Sequence, residues 1–312
     1  MRQVIGMLCL CLCGCLNACD LEDERDLCCG QAVMEYRYQS EGYDKLGEEI
    51  EYLRHFLFDG EGQFMEEIPA APGLCRQELT RLDDGDYTMV TVGNAEEASD
   101  LKKPLAGSYL DDFLLNVTAD ETVNTDPLFY GICPFKRNHK EGKQHFVTEL
   151  SNVHCRLKVT VKWQNLPPVL TKEKIYRIDM ENCAQGYELN AKRGYQLTHK
   201  TFPYSTGWEH HYRRACGLEN LQLHAEFISL RYTNEQLPTL TVRCRNEKNG
   251  EFEAITPALD LKKAFTAWGY KPSTVEKQNY KIIITVYLDS HVGMKLEVDT
   301  GVMDWIDGGA FG

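Results

Sequence analysis

The sequence predicts an all-β protein of two β-sandwich domains in tandem, with one short helix in the second. Three observations predict it. Long stretches alternate apolar and polar residues with a period of two, a double proline divides the strands into two sets of about seven, and helical spacing occurs over only one useful length.

The clearest strand covers residues 153–163, where Val153, Cys155, Leu157, Val159, Val161 and Trp163 alternate with His154, Arg156, Lys158, Thr160 and Lys162. That period puts one face on a core and the other in water. Residues 238–245 repeat the pattern, with Leu240, Val242 and Cys244 inward. Near the end, Tyr280, Ile282, Ile284, Val286 and Leu288 alternate with Lys281, Thr285 and Asp289. After a turn at Asp289-Ser290-His291 come Val292, Met294, Leu296 and Val298, and the two runs pair as a C-terminal hairpin.

Earlier, residues 32–38, 51–58, 62–68, 74–82 and 87–92 read as five strands. The last two are joined at Asp83-Asp84-Gly85-Asp86, where Asp and Gly suit a tight turn. Leu261, Ala264, Phe265 and Trp268 fall at helical spacing and form the one helix. The best domain boundary is Leu166-Pro167-Pro168, because two prolines donate nothing to a ladder and hold the chain extended. The domains are then 31–166 and 169–312. The polar run 136–143 is the second candidate, at the cost of the first domain's best strand.

Ahead of the first domain, Met1-Arg2 supplies one positive charge, residues 4–16 are almost wholly apolar, and Leu16-Asn17-Ala18-Cys19 leads into Asp20-Leu21-Glu22-Asp23-Glu24. This is the layout of a secretory leader, and its apolar run falls short of the roughly 20 residues that span a bilayer. The run Leu16-Asn17-Ala18-Cys19 resembles the bacterial lipobox, which makes residues 1–18 a lipoprotein signal peptide and 19–30 an acidic tether. The Cys19 thiol would take a diacylglyceryl group and the freed amine an acyl chain. Two or three chains, at about 0.8 kcal/mol per buried methylene, anchor stably where one does not. Leu12-Cys13-Gly14-Cys15 also fits the pattern, so Cys15 is the second candidate, and conventional cleavage without lipid is a third reading. Cys19 is favoured because it stands at the change from apolar to acidic sequence. The acidic cluster also resembles the surface-export signal of Bacteroidales-type lipoproteins, which points to the outer face of the outer membrane.

Loss of Arg2 with the leader leaves 33 basic against 47 acidic residues, a formal net charge of −14. Nucleic acid as a partner is excluded by that balance, since phosphate binding needs a basic face. Five of the 13 cysteines lie at or before Cys19, leaving Cys28, Cys29, Cys75, Cys133, Cys155, Cys183, Cys216 and Cys244. Their pairing is not legible in the sequence. Cys155 and Cys244 read as buried small apolar residues on strand faces.

Trp208-Glu209-His210-His211 is the one local group that suggests a metal, but adjacent histidines on a strand point to opposite faces and no second ligand pair follows, so a surface loop is expected. The acidic run at residues 83–86 lacks the ligand spread and closing Glu of a calcium loop. No nucleophile elbow, phosphate loop or dinucleotide fingerprint occurs, and no catalytic residue, cofactor or small-molecule substrate is assigned.

These features together resemble the FimB-type fimbrial anchor and assembly subunits, fimbrillin-like lipoproteins of Bacteroidales-type bacteria. The resemblance is carried in order by the lipobox, by Leu57-Phe58-Asp59-Gly60-Glu61-Gly62-Gln63-Phe64, by residues 82–94, by Leu128-Phe129-Tyr130-Gly131, by residues 150–163 and by the C-terminal hairpin ending near Trp305. At Thr91-Val92 and Ser151-Asn152 the chain departs from the aromatic and the Arg usual in that family.

The resemblance implies two transthyretin-like, Greek-key β-sandwich domains in a non-enzymatic lipoprotein that holds a fimbrium at the outer membrane. It also implies fimbrial stalk subunits as partners, joined by strand exchange. In that scheme the first strand, residues 32–38, is kept, and residues 296–305, with Leu296, Val298, Val302 and Trp305, are offered to the last stalk subunit. Two other readings stand beside it: a fimbrial tip adhesin, and a glycan-binding surface lipoprotein using Tyr195, Tyr204, Trp208 and Tyr212 as an aromatic platform.

Overall fold

The structure is a computed structural model that describes residues 32–164 apart from 71–72, 74, 80–81, 97 and 118–123, together with residues 176–189, 196–197, 201–205, 222–287, 292–298, 301–302 and 306–307. Its secondary structure is almost entirely strand, as the alternation predicts. Among the described residues, besides a single turn at Leu46–Glu49, the one α-helix is Leu261–Ala267, close to its expected place. That helix forms where Asp260 accepts hydrogen bonds from the Lys262 and Lys263 amides, and it buries Leu261, Ala264 and Phe265.

The described residues divide into two compact units that interleave along the chain. The first comprises residues up to 91 with 105–110 and 131–150, and the second comprises 92–104, 111–130 and 151 onward. One sheet has the order Gln144–Glu149, Ala32–Arg37, Arg76–Glu78, and another the order Ser151–Asn152, Phe129–Arg137, Gly85–Gly93, Leu53–Asp59, Phe64–Ile68. The first unit's buried side chains include Met34, Tyr36, Phe56, Leu57, Phe58, Met89 and Val90, contributed by strands of both sheets.

In the second unit the long strand His154–Trp163 lies between Gln222–Leu230, which it pairs antiparallel, and Gln278–Val286, which it pairs in parallel. Cys155, Leu157, Val159, Val161 and Trp163 face the core, as their alternation requires. Across that core stands the sheet ordered Thr201–Ser205, Tyr176–Ala184, Thr239–Arg245, Phe252–Ala254, which contributes Ile178, Met180, Leu240 and Val242. A smaller sheet has the order Gln196–Leu197, Gly186–Glu188, Leu114–Val117, Ser99–Asp100.

Both hydrogen-bonding partners of His154–Trp163 come later in the chain, and that strand falls in the second unit. Period-two alternation reveals which face is buried but not which strand lies alongside. The expected strand 74–82 contracts to Arg76–Glu78, a short edge piece paired only with Ala32–Arg37. The turn at residues 83–86 ends early, since Gly85 already begins the strand Gly85–Gly93. Cys244 is only half buried, whereas Cys183 joins Cys155 inside the core.

One strand passed over in the sequence is Phe129–Arg137, which contains Pro134. Its neighbour Ser151–Asn152 pairs only at Phe129 and Tyr130, so Pro134 lies where the outer side of the ladder asks for no donor.

Candidate assembly surfaces

The first strand is built into the middle of a sheet. Ala32–Arg37 pairs in parallel with Gln144–Glu149 along its full length and antiparallel with Arg76–Glu78. Amide bonds from Leu79 to the Ala32 carbonyl, from Tyr36 to the Cys75 carbonyl and from Leu150 to the Arg37 carbonyl extend both ladders. Ala32, Val33, Met34 and Tyr36 are buried. Burial of Val33, Met34 and Tyr36 together stabilises the strand by roughly 5–9 kcal/mol.

Around this strand the polar groups are enclosed. The Thr148 hydroxyl donates to Met34 Sδ at 3.1 Å, and the Tyr36 ring stacks on His55 at 4.6 Å. His55 Nδ1 lies 3.2 Å from Thr91 Oγ1, and burial pushes the imidazole pKa down to about 4, so His55 is neutral at physiological pH. Burial likewise holds the Tyr36 phenol far above its usual range. The strand is a fixed core member whose removal would open a groove between Gln144–Glu149 and Arg76–Glu78.

The C-terminal hairpin forms as the sequence predicts. Val292–Val298 pairs antiparallel with Gln278–Val286, Leu296 standing opposite Ile282 and Val298 opposite Tyr280. The chain then returns on the outer side of the same strand, with Gly301–Val302 pairing Val298 and Glu297, and Ile306–Asp307 pairing Met294 and Gly293. Leu296, Val298 and Val302 thus sit in the second unit's own six-stranded sheet. Trp305 lies outside the described residues.

The opposite edge of that sheet is also covered. The Thr125 amide donates to the Ile228 carbonyl, the Asn124 side-chain oxygen accepts from the Ile228 amide at 3.0 Å, and Asn124 Nδ2 donates to the Glu226 carbonyl at 3.3 Å. A single asparagine side chain therefore imitates a passing strand, a role that neither composition nor periodicity signals.

The remaining sequence candidates fall as follows. Cys19, Cys15, Tyr195, Trp208, Tyr212, His210 and His211 lie outside the described residues, and Tyr204 belongs to the strand Thr201–Ser205. The Asp84 carboxylate accepts from the His139 amide and lies 2.6 Å from His139 Nδ1, contacts that hold it below the usual carboxylate range. Among the described residues no group of three or more His, Cys, Asp or Glu side chains is arranged to hold a metal ion, and no helix is long and apolar enough to cross a membrane.

The fold thus defines a class, an all-β protein whose strands form several sheets packed around buried cores. Within that class, the profile of the family described as fimbrillin-A associated anchor proteins Mfa1 and Mfa2 matches residues 31–306, and the chain belongs to that family. The resemblance to fimbrial anchor subunits is borne out.

Solved structures agree in fold. The fimbrial anchor protein Mfa2 from Porphyromonas gingivalis is 15% identical at a TM-score of 0.61, over 88% of this chain and 99% of that one. A candidate adhesin from Bacteroides thetaiotaomicron is 15% identical at a TM-score of 0.65, over 88% of this chain and 98% of that one. A candidate polysaccharide-binding protein from the same species is 13% identical at 0.63, over 87% and 96%. No curated protein matches.

Proposed function

We propose that the chain is a lipid-anchored fimbrial subunit that holds or assembles a fimbrium at the outer membrane, and that it is not an enzyme. Membership of the anchor family over residues 31–306 is the observation that carries this reading. In the proposal, lipid on Cys19 tethers the acidic segment 19–30, the first strand stays in place, and residues 296–305 are exchanged with a stalk subunit.

The burial of Ala32–Arg37 between two neighbours supports the second step, because a strand so enclosed leaves the first unit without an acceptor groove. Polarity then follows: a subunit that cannot accept a strand ends the fibre. The third step requires Leu296–Val298 to leave their ladder with Tyr280–Ile282 and Gly301–Val302 to leave the outer edge, where they pair with Val298 and Glu297.

The test is deletion of all residues after Thr300 in the expressing bacterium. Loss or shedding of fimbriae is the expected result, and fimbriae attached at normal length would overturn the strand-exchange step. Pull-down of the intact lipoprotein from membranes tests the class itself. A ladder of fimbrial subunits supports it, whereas co-purification of a sugar-uptake complex replaces it with the glycan-binding alternative.

A further inference from the structure

The sheet built around His154–Trp163 ends at Gln222–Leu230, and that strand carries none of the sequence devices by which an edge ordinarily resists a neighbour. Its residues, Gln222-Leu223-His224-Ala225-Glu226-Phe227-Ile228-Ser229-Leu230, include no proline, no lysine and no arginine. Its register with His154–Trp163 runs unbroken from Leu230 opposite His154 to Gln222 opposite Lys162, so no bulge bends it away. A strand of this length, regularity and low charge is a template for pairing with another chain.

Among the described residues, what covers this edge is small. The Thr125 amide donates to the Ile228 carbonyl at 2.8 Å, the Ile228 amide donates to Asn124 Oδ1 at 3.0 Å, and Asn124 Nδ2 donates to the Glu226 carbonyl at 3.3 Å. Ile228 thus points both main-chain groups away from Arg156, the residue opposite it in the ladder, as alternate residues of an antiparallel edge do. A side-chain amide offers the same acceptor and donor as a peptide unit, so Asn124 occupies the place where an added strand would bond. Thr125 is buried and Asn124 exposed, so the backbone of this plug is fixed while the amide that closes the edge stands at the surface. The opposite end of the sheet is closed differently, by Gly301–Val302 and Ile306–Asp307 pairing along Val292–Val298.

The edge is complementary to itself. In an antiparallel pairing about a two-fold axis that sets Ile228 opposite its own copy, Glu226 falls opposite Leu230 and no like charges meet. Leu223 and Ala225, only partly buried against the core, gain cover from the same pairing.

We propose that Glu226–Ile228 is a latent self-association edge, fitted to a second copy of this chain, and that the Asn124 side-chain amide holds it shut. The inference does not rest on the fimbrial reading.

The purified chain from Cys19 onward is followed by sedimentation velocity over a range of concentrations, as wild type, as Asn124→Ala, and as Asn124→Ala combined with Ile228→Pro. The wild type should stay monomeric. Asn124→Ala should dimerise with a dissociation constant lower by roughly tenfold or more, since two hydrogen bonds that compete with the added strand are gone. Ile228→Pro removes an N–H that faces away from the ladder, a change an edge strand tolerates, and should return the double variant to monomer. That rescue separates edge pairing from aggregation of unfolded chains. Hydrogen exchange gives a second reading: the Ile228 amide should be protected in the wild type, fast in dilute Asn124→Ala and protected again in its dimer. Asn124→Ala sedimenting like the wild type, association that survives Ile228→Pro, or an Ile228 amide still fast in the dimer each overturns the proposal.

Discussion

Gly131 shows at the scale of one residue how tightly the first unit is packed. A Cβ there would lie 2.7 Å from Thr148 Cγ2, 2.8 Å from Leu150 Cδ2 and 2.9 Å from the Glu149 carbonyl oxygen, and a backbone oxygen has no rotamer by which to withdraw. Gly131→Ala should lower stability by about 1–3 kcal/mol, read from urea unfolding. The sequence displays Gly131 within Leu128-Phe129-Tyr130-Gly131 but not the reason for it, because the crowding comes from chain nearly 20 residues on. His55 offers a second test. Its folded pKa of about 4 is depressed from the 6.5 of a free imidazole, so its contribution is fully present above pH 6.5 and is lost as pH falls toward 4. The total is about 3 kcal/mol. Urea titrations at several pH values should show that slope in the wild type and its loss in His55→Phe.

At the scale of elements, the helix Leu261–Ala267 depends on its first residue's predecessor. Asp260 Oδ1 accepts from the Lys262 amide at 2.8 Å and the Lys263 amide at 3.1 Å, so Asp260→Ala should cost about 1 kcal/mol in a thermal melt, while Asp260→Asn should cost less. Strands whose alternation is long and unbroken were legible almost to the residue, as Val292–Val298 and His154–Trp163 show. Gln144–Glu149 was not, since Gln144, His145, Thr148 and Glu149 give no clean apolar face and the strand owes its place to the parallel ladder with Ala32–Arg37. A buried Gln278 belongs to the same group: its side chain accepts from the Tyr232 amide and donates to the Tyr232 and Pro272 carbonyls. Gln278→Leu should destabilise the second unit by about 2–3 kcal/mol, measured by denaturant unfolding, because two buried carbonyls and an amide lose their partner.

At the scale of the whole molecule, the proposal makes the chain's two ends unequal: one is joined to lipid and one to a partner. Cys19→Ser should move the protein from the membrane fraction to the medium or the soluble fraction while leaving its fold unchanged, as read by fractionation and circular dichroism. If Cys19→Ser stays lipidated and Cys15→Ser does not, the anchor lies at Cys15 instead. Removal of the first strand makes a complementary prediction. A protease site engineered just after Arg37 should, once cut, leave the first unit either unfolded or able to capture a donor strand, and a stable unit that captures none would contradict the groove argument.

The sequence by itself determined the all-β class, the faces of the main strands, the C-terminal hairpin, the helix Leu261–Ala267 and the anchor family. Each of these rests on local periodicity or on ordered motifs that need no knowledge of distant chain. Tertiary structure alone decided where the units divide and that His154–Trp163 belongs to the later one, because sheet order is set by which hydrogen-bonding edges meet. It alone also brought Asn124 against Glu226 and Ile228, since residues 102 and 104 positions apart become neighbours only when the chain passes along a sheet edge made much later.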